Sequence, residues 1–315
     1  MIIWITGAKG FIGQHLARYL VAQGNLVLGI GHGIWSEVAA EVGLAAWING
    51  EINGDNLTTL CATHGAPDLV LHLAGGSSVG LAIVNPHEDF ARTVTTTAEL
   101  LEWLRLESPL TRLVTFSSAA VHGAGHSGRI AESAFKKPLS PYGYHKLMME
   151  QLCRSYASCY GLRCLVLRLF SVYGPGLRKQ LLWDLCRRLQ DTPTSIELSG
   201  TGEELRDWTH VQDVVRAIEA TVDLASPEAP TFNVGSGLGT SVRVVAQTVI
   251  DAFAEEGRRS KLHFNKKLRA GDPFSLVADP SYLQSLGFEW GISPQQGIVE
   301  YVRWFQGQAG AERSI

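Results

Sequence analysis

The chain has 315 residues, of which 45% are hydrophobic and 18% are charged, and its formal net charge is −3 at pH 7. This composition is ordinary for a globular protein and excludes a disordered chain. So small a net charge creates no field that would gather nucleic acid or anionic lipid, so we expect neither as a partner.

The cysteine content and the hydropathy of the sequence indicate the cellular compartment of the protein. The five cysteines are odd in number and contain no Cys-x-x-Cys spacing, which argues for reduced thiols and against a disulfide framework or a zinc site. We therefore expect no bound metal. The chain opens on Ile2–Ile5 without a basic segment before it, and it has no apolar run long enough to span a bilayer. We expect a soluble, cytoplasmic protein.

Strand-like and helix-like segments alternate from the start of the chain. The alternation predicts βαβ units and an α/β fold with a parallel sheet. The predicted strands are Ile2–Ile5, Leu26–Ile30, Leu69–Leu73, Leu113–Phe116 and Cys164–Phe170, and the predicted helices are Gly13–Gln23, Pro86–Leu106 and Ser140–Gly161. After Phe170 strand-like and helix-like segments no longer alternate regularly. This favours a second lobe whose chain is interleaved with the first domain over an independently folding domain.

A glycine-rich loop follows the first predicted strand. Gly7, Gly10 and Gly13 are spaced Gly-x-x-Gly-x-x-Gly between a strand and a helix. Gly7 permits a tight turn, Gly10 permits close approach of a pyrophosphate, and Gly13 permits close packing of the helix. The loop predicts a dinucleotide cofactor. The other candidate cofactor contacts are Lys9, Phe11, Ile12, His32, Glu51, Ile52, Leu73, Ala74, Gly75, Ser117, Tyr142 and Lys146.

The end of the second strand carries the information on cofactor type. NAD sites usually place an acidic residue there to hold the ribose 2′-OH, and this chain has no acid before Glu37. Gly31 leaves room, and Lys9 and His32 can face an additional phosphate. We therefore expect NADP ahead of NAD, with His32 as an ordinary exposed loop residue being the alternative interpretation.

Ser118, Tyr142 and Lys146 form a candidate catalytic set. Tyr142 and Lys146 are four positions apart after a helix start at Ser140, so they share a helix face. A free phenol is a poor base at neutral pH, and an adjacent ammonium favours its ionised form. Ser118 follows the strand predicted over Leu113–Phe116 and is placed to hydrogen-bond a reacting oxygen.

These motifs together resemble the extended short-chain dehydrogenase/reductases, the family of nucleotide-sugar epimerases, dehydratases and reductases. The resemblance rests on the glycine loop, the catalytic set and further segments along nearly the whole chain. These segments are His72–Gly75, Ser117–Gly123, Leu167–Gly176, Arg206–Val214, Phe232–Gly237, Arg269–Asp272, Leu286–Phe288 and Gly297–Phe305. It implies a Rossmann domain with a doubly wound parallel sheet and a smaller C-terminal substrate-binding lobe. It also implies a homodimer formed through the helices near Phe90–Glu107 and Tyr142–Tyr160.

The same resemblance implies the domain boundaries and the substrate contacts. We expect the NAD(P)-binding domain over residues 1–170, with residues 210–237 returning to it. Residues 171–209 and 238–315 would form the nucleotide-sugar-binding lobe. Arg206 and Arg269 would reach the diphosphate of a nucleotide-sugar, because Arg geometry suits charge-assisted bonds to phosphate. The remaining candidate substrate contacts are Ser77, Ser118, Ser171 and Asp272.

Departures from the family pattern separate the possible activities. Ser118 is followed by Ala119-Ala120-Val121 without an acid, which disfavours a sugar dehydratase. The expected NADP favours reduction of a 4-keto nucleotide-sugar with Tyr142 as proton donor. The alternative is a nucleotide-sugar 4-epimerase, similar to UDP-glucose 4-epimerase, with tightly bound NAD. A minor alternative is a non-catalytic dinucleotide-binding regulator, which the retained Tyr142 and Lys146 disfavour.

Overall fold

The computed structural model describes residues 1–191, 194–254, 259–267 and 273–312. The strands are β1 (Ile2–Thr6), β2 (Leu26–Gly31), β3 (Ala46–Asn49), β4 (Leu69–His72), β5 (Arg112–Ser118), β6 (Arg163–Leu169), β7 (Ser171–Tyr173), β8 (Ser195–Leu198), β9 (Leu205–His210), β10 (Thr231–Val234), β11 (Gly239–Ser241), β12 (Lys261–Phe264) and β13 (Ser275–Leu276).

The helices follow the strands in regular alternation through β6. They are α1 (Phe11–Ala22), α2 (Ser36–Val42), α3 (Gly54–His64), α4 (Val79–Val84), α5 (Pro86–Phe90), α6 (Thr96–Glu107), α7 (Pro141–Tyr160), α8 (Gln180–Leu189), α9 (Val211–Thr221), α10 (Val242–Phe253), α11 (Ser281–Ser285) and α12 (Pro294–Glu312). A π-helix, Ala91–Thr95, joins α5 to α6, so the helix predicted as continuous over Pro86–Leu106 is interrupted.

Seven strands form one sheet in the order β10-β6-β5-β4-β1-β2-β3, and β1 to β6 pair in parallel. Ile3, Trp4 and Ile5 of β1 are fully buried, as expected for a parallel strand covered on both faces. The strand order reverses between β1 and β4, where doubly wound sheets bind ligands. The α/β doubly wound fold predicted from the sequence is confirmed.

The core of this sheet lies against α3, α6 and α7. Trp4 packs against Trp103 of α6 with ring centroids 5.2 Å apart, in a cluster that also contains Leu57 of α3 and Cys153 of α7. Burial of these large apolar side chains is the main favourable contribution to folding. It fixes α6 and α7 on the sheet, and α7 carries two of the candidate catalytic residues.

The chain forms two compact units. The first contains Met1–Gly123, Glu132–Leu169 and Val215–Asn233, and the second contains Ala124–Ala131, Phe170–Val214 and Val234–Ile315. In the second unit β11, β9 and β13 form a small sheet to which β7 adds, and β12 pairs with β8. Among the described residues we find no helix both long and apolar enough to cross a bilayer.

Candidate active site

The glycine loop lies between β1 and α1 and is closely surrounded by backbone. Gly7 has a φ of +70°, and a Cβ there would lie 2.9 Å from the amide nitrogen of Ala74. A Cβ at Gly13 would lie 2.5 Å from the carbonyl oxygen of Gly7, so α1 approaches the loop closely. Gly10 is the N-cap of α1 and makes no side-chain capping hydrogen bond. The residues present therefore fit a pyrophosphate at this helix N-terminus.

Lys9, His32 and Glu51 lie near the carboxyl end of β2, and their contacts change the expected cofactor. Lys9 Nζ donates to the carbonyl oxygen of Ile34 at 3.1 Å. His32 Nε2 lies 3.4 Å from a carboxylate oxygen of Glu51, which follows β3. An acidic group is thus present at this end of the sheet, although it comes from the neighbouring strand. It opposes the attraction of an additional phosphate by His32.

A buried polar chain supports the segment after β4. Thr6 Oγ1 lies 2.8 Å from His72 Nδ1 and accepts a hydrogen bond from the backbone N–H of Ala74. The other imidazole nitrogen of His72 lies 3.0 Å from Thr97 Oγ1. Burial, with a smaller contribution from the charge of Lys146, lowers the pKa of His72 to about 3. The imidazole is therefore neutral at physiological pH and holds the segment Leu73–Gly75 in place.

Ser118, Tyr142 and Lys146 lie together at the carboxyl end of β5. Ser118 is half-buried and its hydroxyl hydrogen-bonds the phenol of Tyr142. One helical turn further along α7, Lys146 Nζ lies 5.9 Å from the centre of the Tyr142 ring and donates to the carbonyl oxygen of Phe116 at 2.9 Å. Gly75 lies beside the ammonium, since a Cβ there would be 3.3 Å from Nζ. The structure thus brings the three predicted residues together.

The pKa of Tyr142 is shifted in a direction that the sequence analysis did not predict. Burial raises the pKa of the Tyr142 phenol, the hydrogen bond with Ser118 lowers it, and the charge of Asp89 raises it further. The net shift of the Tyr142 pKa is therefore opposite to the expected lowering, because loss of hydration is the largest contribution. Burial lowers the pKa of Lys146 to about 8, and the charge of Asp89 opposes this change.

A buried ion pair joins α7 to β6, and the end of β5 hydrogen-bonds to it. Glu150 accepts hydrogen bonds from Arg168 at 2.8 Å on both carboxylate oxygens and from Ser117 Oγ at 2.6 Å. Ser117 is buried, so its side chain serves this pair, and its predicted contact with the cofactor stays a prediction. Because Ser117 precedes Ser118, the ion pair fixes the backbone that carries the candidate catalytic hydroxyl.

The remaining predicted site residues lie at several places. Phe11 and Ile12 open α1 and are half-buried, and Ser77 is exposed in the segment after β4. Ile52 is 5% exposed and belongs to the hydrophobic core, so its side chain packs against protein. Their roles stay predictions.

Two predicted substrate contacts lie in the second unit. Ser171 is half-buried at the start of β7, and Arg206 on β9 donates to the carbonyl oxygens of Leu205 and Phe274 at 2.8 and 3.2 Å. Arg269 and Asp272 lie outside the described residues.

Comparison with known proteins decides the family. The profile of the "NAD dependent epimerase/dehydratase family" matches residues 3–235. The chain belongs to this family. It is 31% identical to the uncharacterized UDP-glucose epimerase YtcB of Bacillus subtilis, over 96% of this chain and 98% of that protein. It is 30% identical to the UDP-glucose 4-epimerase of Azospirillum brasilense, over 98% and 95% of the two chains.

A solved structure with UDP-glucose and NAD bound shows the same fold. MoeE5 in complex with UDP-glucose and NAD superposes with a TM-score of 0.84 at 31% identity, covering 98% of this chain and 100% of that chain. NAD in this relative does not support the NADP preference that the sequence suggested. These relatives also fit the 4-epimerase alternative better than the 4-keto reductase that we placed first.

Sequence reasoning missed one charged residue next to the candidate catalytic set. Asp89 of α5 is 7% exposed, and its carboxylate lies 2.6 Å from Nδ1 of His145, the residue before Lys146. The available signal was local: a histidine adjoins the candidate catalytic lysine, and a buried histidine needs a partner.

Proposed function

We propose that the protein is an NAD-dependent UDP-sugar 4-epimerase. The observation that carries the proposal is the cluster of Ser118, Tyr142 and Lys146 beside a glycine loop that fits a dinucleotide. Support for the UDP-sugar comes from relatives whose names are UDP-glucose epimerase and UDP-glucose 4-epimerase. The proposal replaces the 4-keto reductase as the first choice.

The proposed reaction needs one proton acceptor, and the 4-keto ring must turn over between the departure and the return of the hydride. Tyr142 accepts the proton of the C4 hydroxyl as a hydride leaves C4, which produces a 4-keto sugar. Return of the hydride to the opposite face of C4, with return of the proton to the oxygen, gives the C4 epimer without net oxidation. When bound, NAD supplies the hydride acceptor, and its positively charged nicotinamide ring favours the phenolate form of a nearby tyrosine.

The chain's own residues position these steps. Ser118 hydrogen-bonds the Tyr142 phenol and can share that bond with the C4 oxygen. The Lys146 ammonium, held by the Phe116 carbonyl, places a positive charge near the phenol and favours its deprotonated form. The neutral His72 adds no competing charge.

NAD fits the end of β2 better than NADP. Glu51 adds a negative charge there beside His32, and it would repel a 2′-phosphate. Lys9, which we expected to attract that phosphate, donates to the Ile34 carbonyl. The solved relative with bound NAD supports the same choice.

The substrate contacts and the assembly belong to the same proposal. We assign cofactor binding to the first unit and expect Ser77 there to contact the sugar. Nucleotide-sugar contacts in the second unit would come from Ser171, Arg206, Arg269 and Asp272. A homodimer through the helices of Phe90–Glu107 and Tyr142–Tyr160 remains the expected assembly.

Epimerisation is the direct test. The purified protein is incubated with UDP-glucose or with UDP-glucuronate, and the C4 epimer is measured by chromatography and proton NMR. We expect interconversion without net change in NADH absorbance. Tyr142→Phe should lower kcat by about 10²–10⁴-fold, because it removes the proton acceptor. Tyr144→Phe is the matched control, since Tyr144 lies on the same helix with half of its side chain exposed.

Other outcomes would identify the alternatives. Stoichiometric oxidation of NADPH with a 4-keto nucleotide-sugar, without epimerisation, would establish the reductase and contradict our proposal. A wild-type protein that binds NAD and converts none of these nucleotide-sugars would favour the non-catalytic regulator.

A further inference from the structure

A buried carboxylate–imidazole pair lies next to the candidate catalytic lysine. Asp89 and His145 are 7% and 9% exposed, and Asp89 Oδ2 lies 2.6 Å from His145 Nδ1. A carboxylate of this burial would be costly without a hydrogen-bond donor, and the imidazole N–H supplies one. The steps of the proposed reaction make no use of either residue.

The protein backbone leaves space for this carboxylate at Gly76. A Cβ at Gly76 would collide with the Asp89 carboxylate, so a glycine is required for the aspartate to occupy its place. Gly76 follows Gly75, which lies against Lys146 Nζ, and the amide of Gly76 donates to Thr93 Oγ1 at 2.8 Å. The carboxylate is therefore held from two sides, by the segment after β4 and by α7.

The charged groups around Lys146 make Asp89 the relevant anion. Lys146 faces Tyr142 on α7 and the neutral His72 on β4. Near Asp89, Glu88 and Arg92 form an ion pair with each other on the surface, with side chains 51% and 61% exposed, so solvent screens both. Asp89 is the carboxylate whose charge acts on both Lys146 and Tyr142.

We propose that Asp89, held by His145 and accommodated by Gly76, is a positioning residue that keeps Lys146 in its ammonium form during epimerisation. Within the pair, the His145 imidazole donates its Nδ1–H to the Asp89 carboxylate. This proposal rests on the proposed epimerase. It goes beyond it by giving a function to a buried pair that lies outside the Ser118, Tyr142 and Lys146 set.

The pH dependence of kcat/KM tests the proposal. In the active form Tyr142 is ionised and Lys146 is protonated, so the two limbs of the profile together report the phenol and the ammonium. Asp89→Asn removes a negative charge and stabilises the deprotonated form of both groups. We expect both limbs to move to lower pH, and kcat/KM above the alkaline limb to fall about tenfold. Gly76→Ala, which displaces the carboxylate, should move both limbs in the same direction.

Matched variants separate charge from structure. Glu88→Gln removes the same charge from the exposed neighbouring residue and should leave both limbs in place. Asp89→Glu keeps the negative charge, so the limbs of its pH profile should lie closer to those of the wild type than the limbs of Asp89→Asn do. If Asp89→Asn, folded by circular dichroism and able to bind NAD, keeps the wild-type limbs, the proposal is wrong.

A second measurement does not depend on epimerase activity. NMR titration of ¹³C-labelled lysine side chains, with Lys146→Arg to assign the signal, follows the Lys146 ammonium directly. We expect Lys146 to lose its proton at lower pH in Asp89→Asn than in the wild type. An unchanged titration would overturn the role of Asp89 even if the protein catalyses another reaction, whereas a shifted titration with no epimerisation would reject only the proposed function.

Discussion

We expect the exposed carboxylate of Glu51, which lies beside His32, to influence the choice of cofactor. The ribose of a dinucleotide lies at the carboxyl end of β2, and Glu51 reaches that position from the residues after β3. Gly31 at the end of β2 pairs with Asn49 at the end of β3, so the two strand ends lie side by side. The sequence has no acid directly after β2, and an acid is present after the adjacent strand β3.

Removing this carboxylate should relax the preference for NAD. We expect Glu51→Gln to raise the affinity for NADPH relative to NADH about fivefold, because one repulsive charge near the 2′-phosphate is lost. Fluorescence titration of the two reduced cofactors measures the ratio. Asp55→Asn, a change of equal charge in the first turn of α3, is the control. A ratio that changes equally in both variants would show a general charge effect and contradict the role of Glu51.

At this scale the sequence predicts what local spacing encodes. The glycines of the loop and the four-residue spacing of Tyr142 and Lys146 predict contacts that the structure contains, because each depends on one turn or one helix. The pair of Asp89 and His145 joins residues 56 positions apart, and it exists because α5 packs on α7. The sequence places His145 beside Lys146, but it does not identify Asp89 as the partner of that histidine.

The helix over Pro86–Leu106 shows the same limit at the level of an element. Its periodicity predicts one continuous helix, and the structure inserts the π-helix Ala91–Thr95. Within that turn the Thr93 hydroxyl accepts a hydrogen bond from the backbone N–H of Gly76. The carbonyl oxygen of Thr93 accepts a second hydrogen bond, from the Thr97 hydroxyl at 2.6 Å. A π-turn is favoured here by contacts with the segment after β4, and helical periodicity does not record them.

The ion pair between α7 and β6 should determine stability at low pH. Glu150 and Arg168 have side chains 0% and 1% exposed. Burial on its own raises the pKa of Glu150, and hydrogen bonds from Arg168 and Ser117 outweigh it, so the pKa lies below its ordinary value. A lowered folded-state pKa gives stability that is present above the unfolded pKa of about 4.3 and is lost as the pH falls through the folded value.

Removing one partner should cost more than removing both. Glu150→Ala leaves the Arg168 guanidinium buried without its carboxylate, and we expect the free energy of unfolding at pH 7 to fall by about 3–5 kcal/mol. The double variant Glu150→Met/Arg168→Met should lose less than Glu150→Ala, and its stability should lose part of its dependence on pH below 5. Urea denaturation at several pH values measures both. A double variant as unstable as the sum of the single ones would contradict coupling within the pair.

At the scale of the whole molecule the chain passes repeatedly between its two units. Neither unit is one continuous segment, because Ala124–Ala131 interrupts the first unit and Val215–Asn233 returns to it. The sequence-based boundary at residue 170 follows the loss of strand and helix alternation, and the excursion at Ala124–Ala131 has no such signal. Since neither unit can be released as a continuous piece of chain, we expect the two to unfold in one transition.

The cysteines provide a probe of that transition in each unit. Cys153 and Cys164 are buried in the first unit and Cys186 in the second, whereas Cys159 is exposed and Cys61 is half-buried. Burial raises the pKa of Cys153 to about 11 and of Cys186 to about 12, and it raises the pKa of Cys164 as well. Their thiolate fractions are small at pH 8, so they react slowly in the folded state.

Pulsed alkylation across a urea titration, read by mass spectrometry, should therefore show two classes of thiol. Cys159 should react at once without urea and Cys61 more slowly, with Cys159→Ser as the control that removes the fast class. Cys153, Cys164 and Cys186 should become reactive together, at the urea concentration where the circular dichroism signal is lost. Reaction of Cys186 at a distinctly lower urea concentration than Cys153 and Cys164 would show that the second unit unfolds first and that the interleaved chain does not couple the two units.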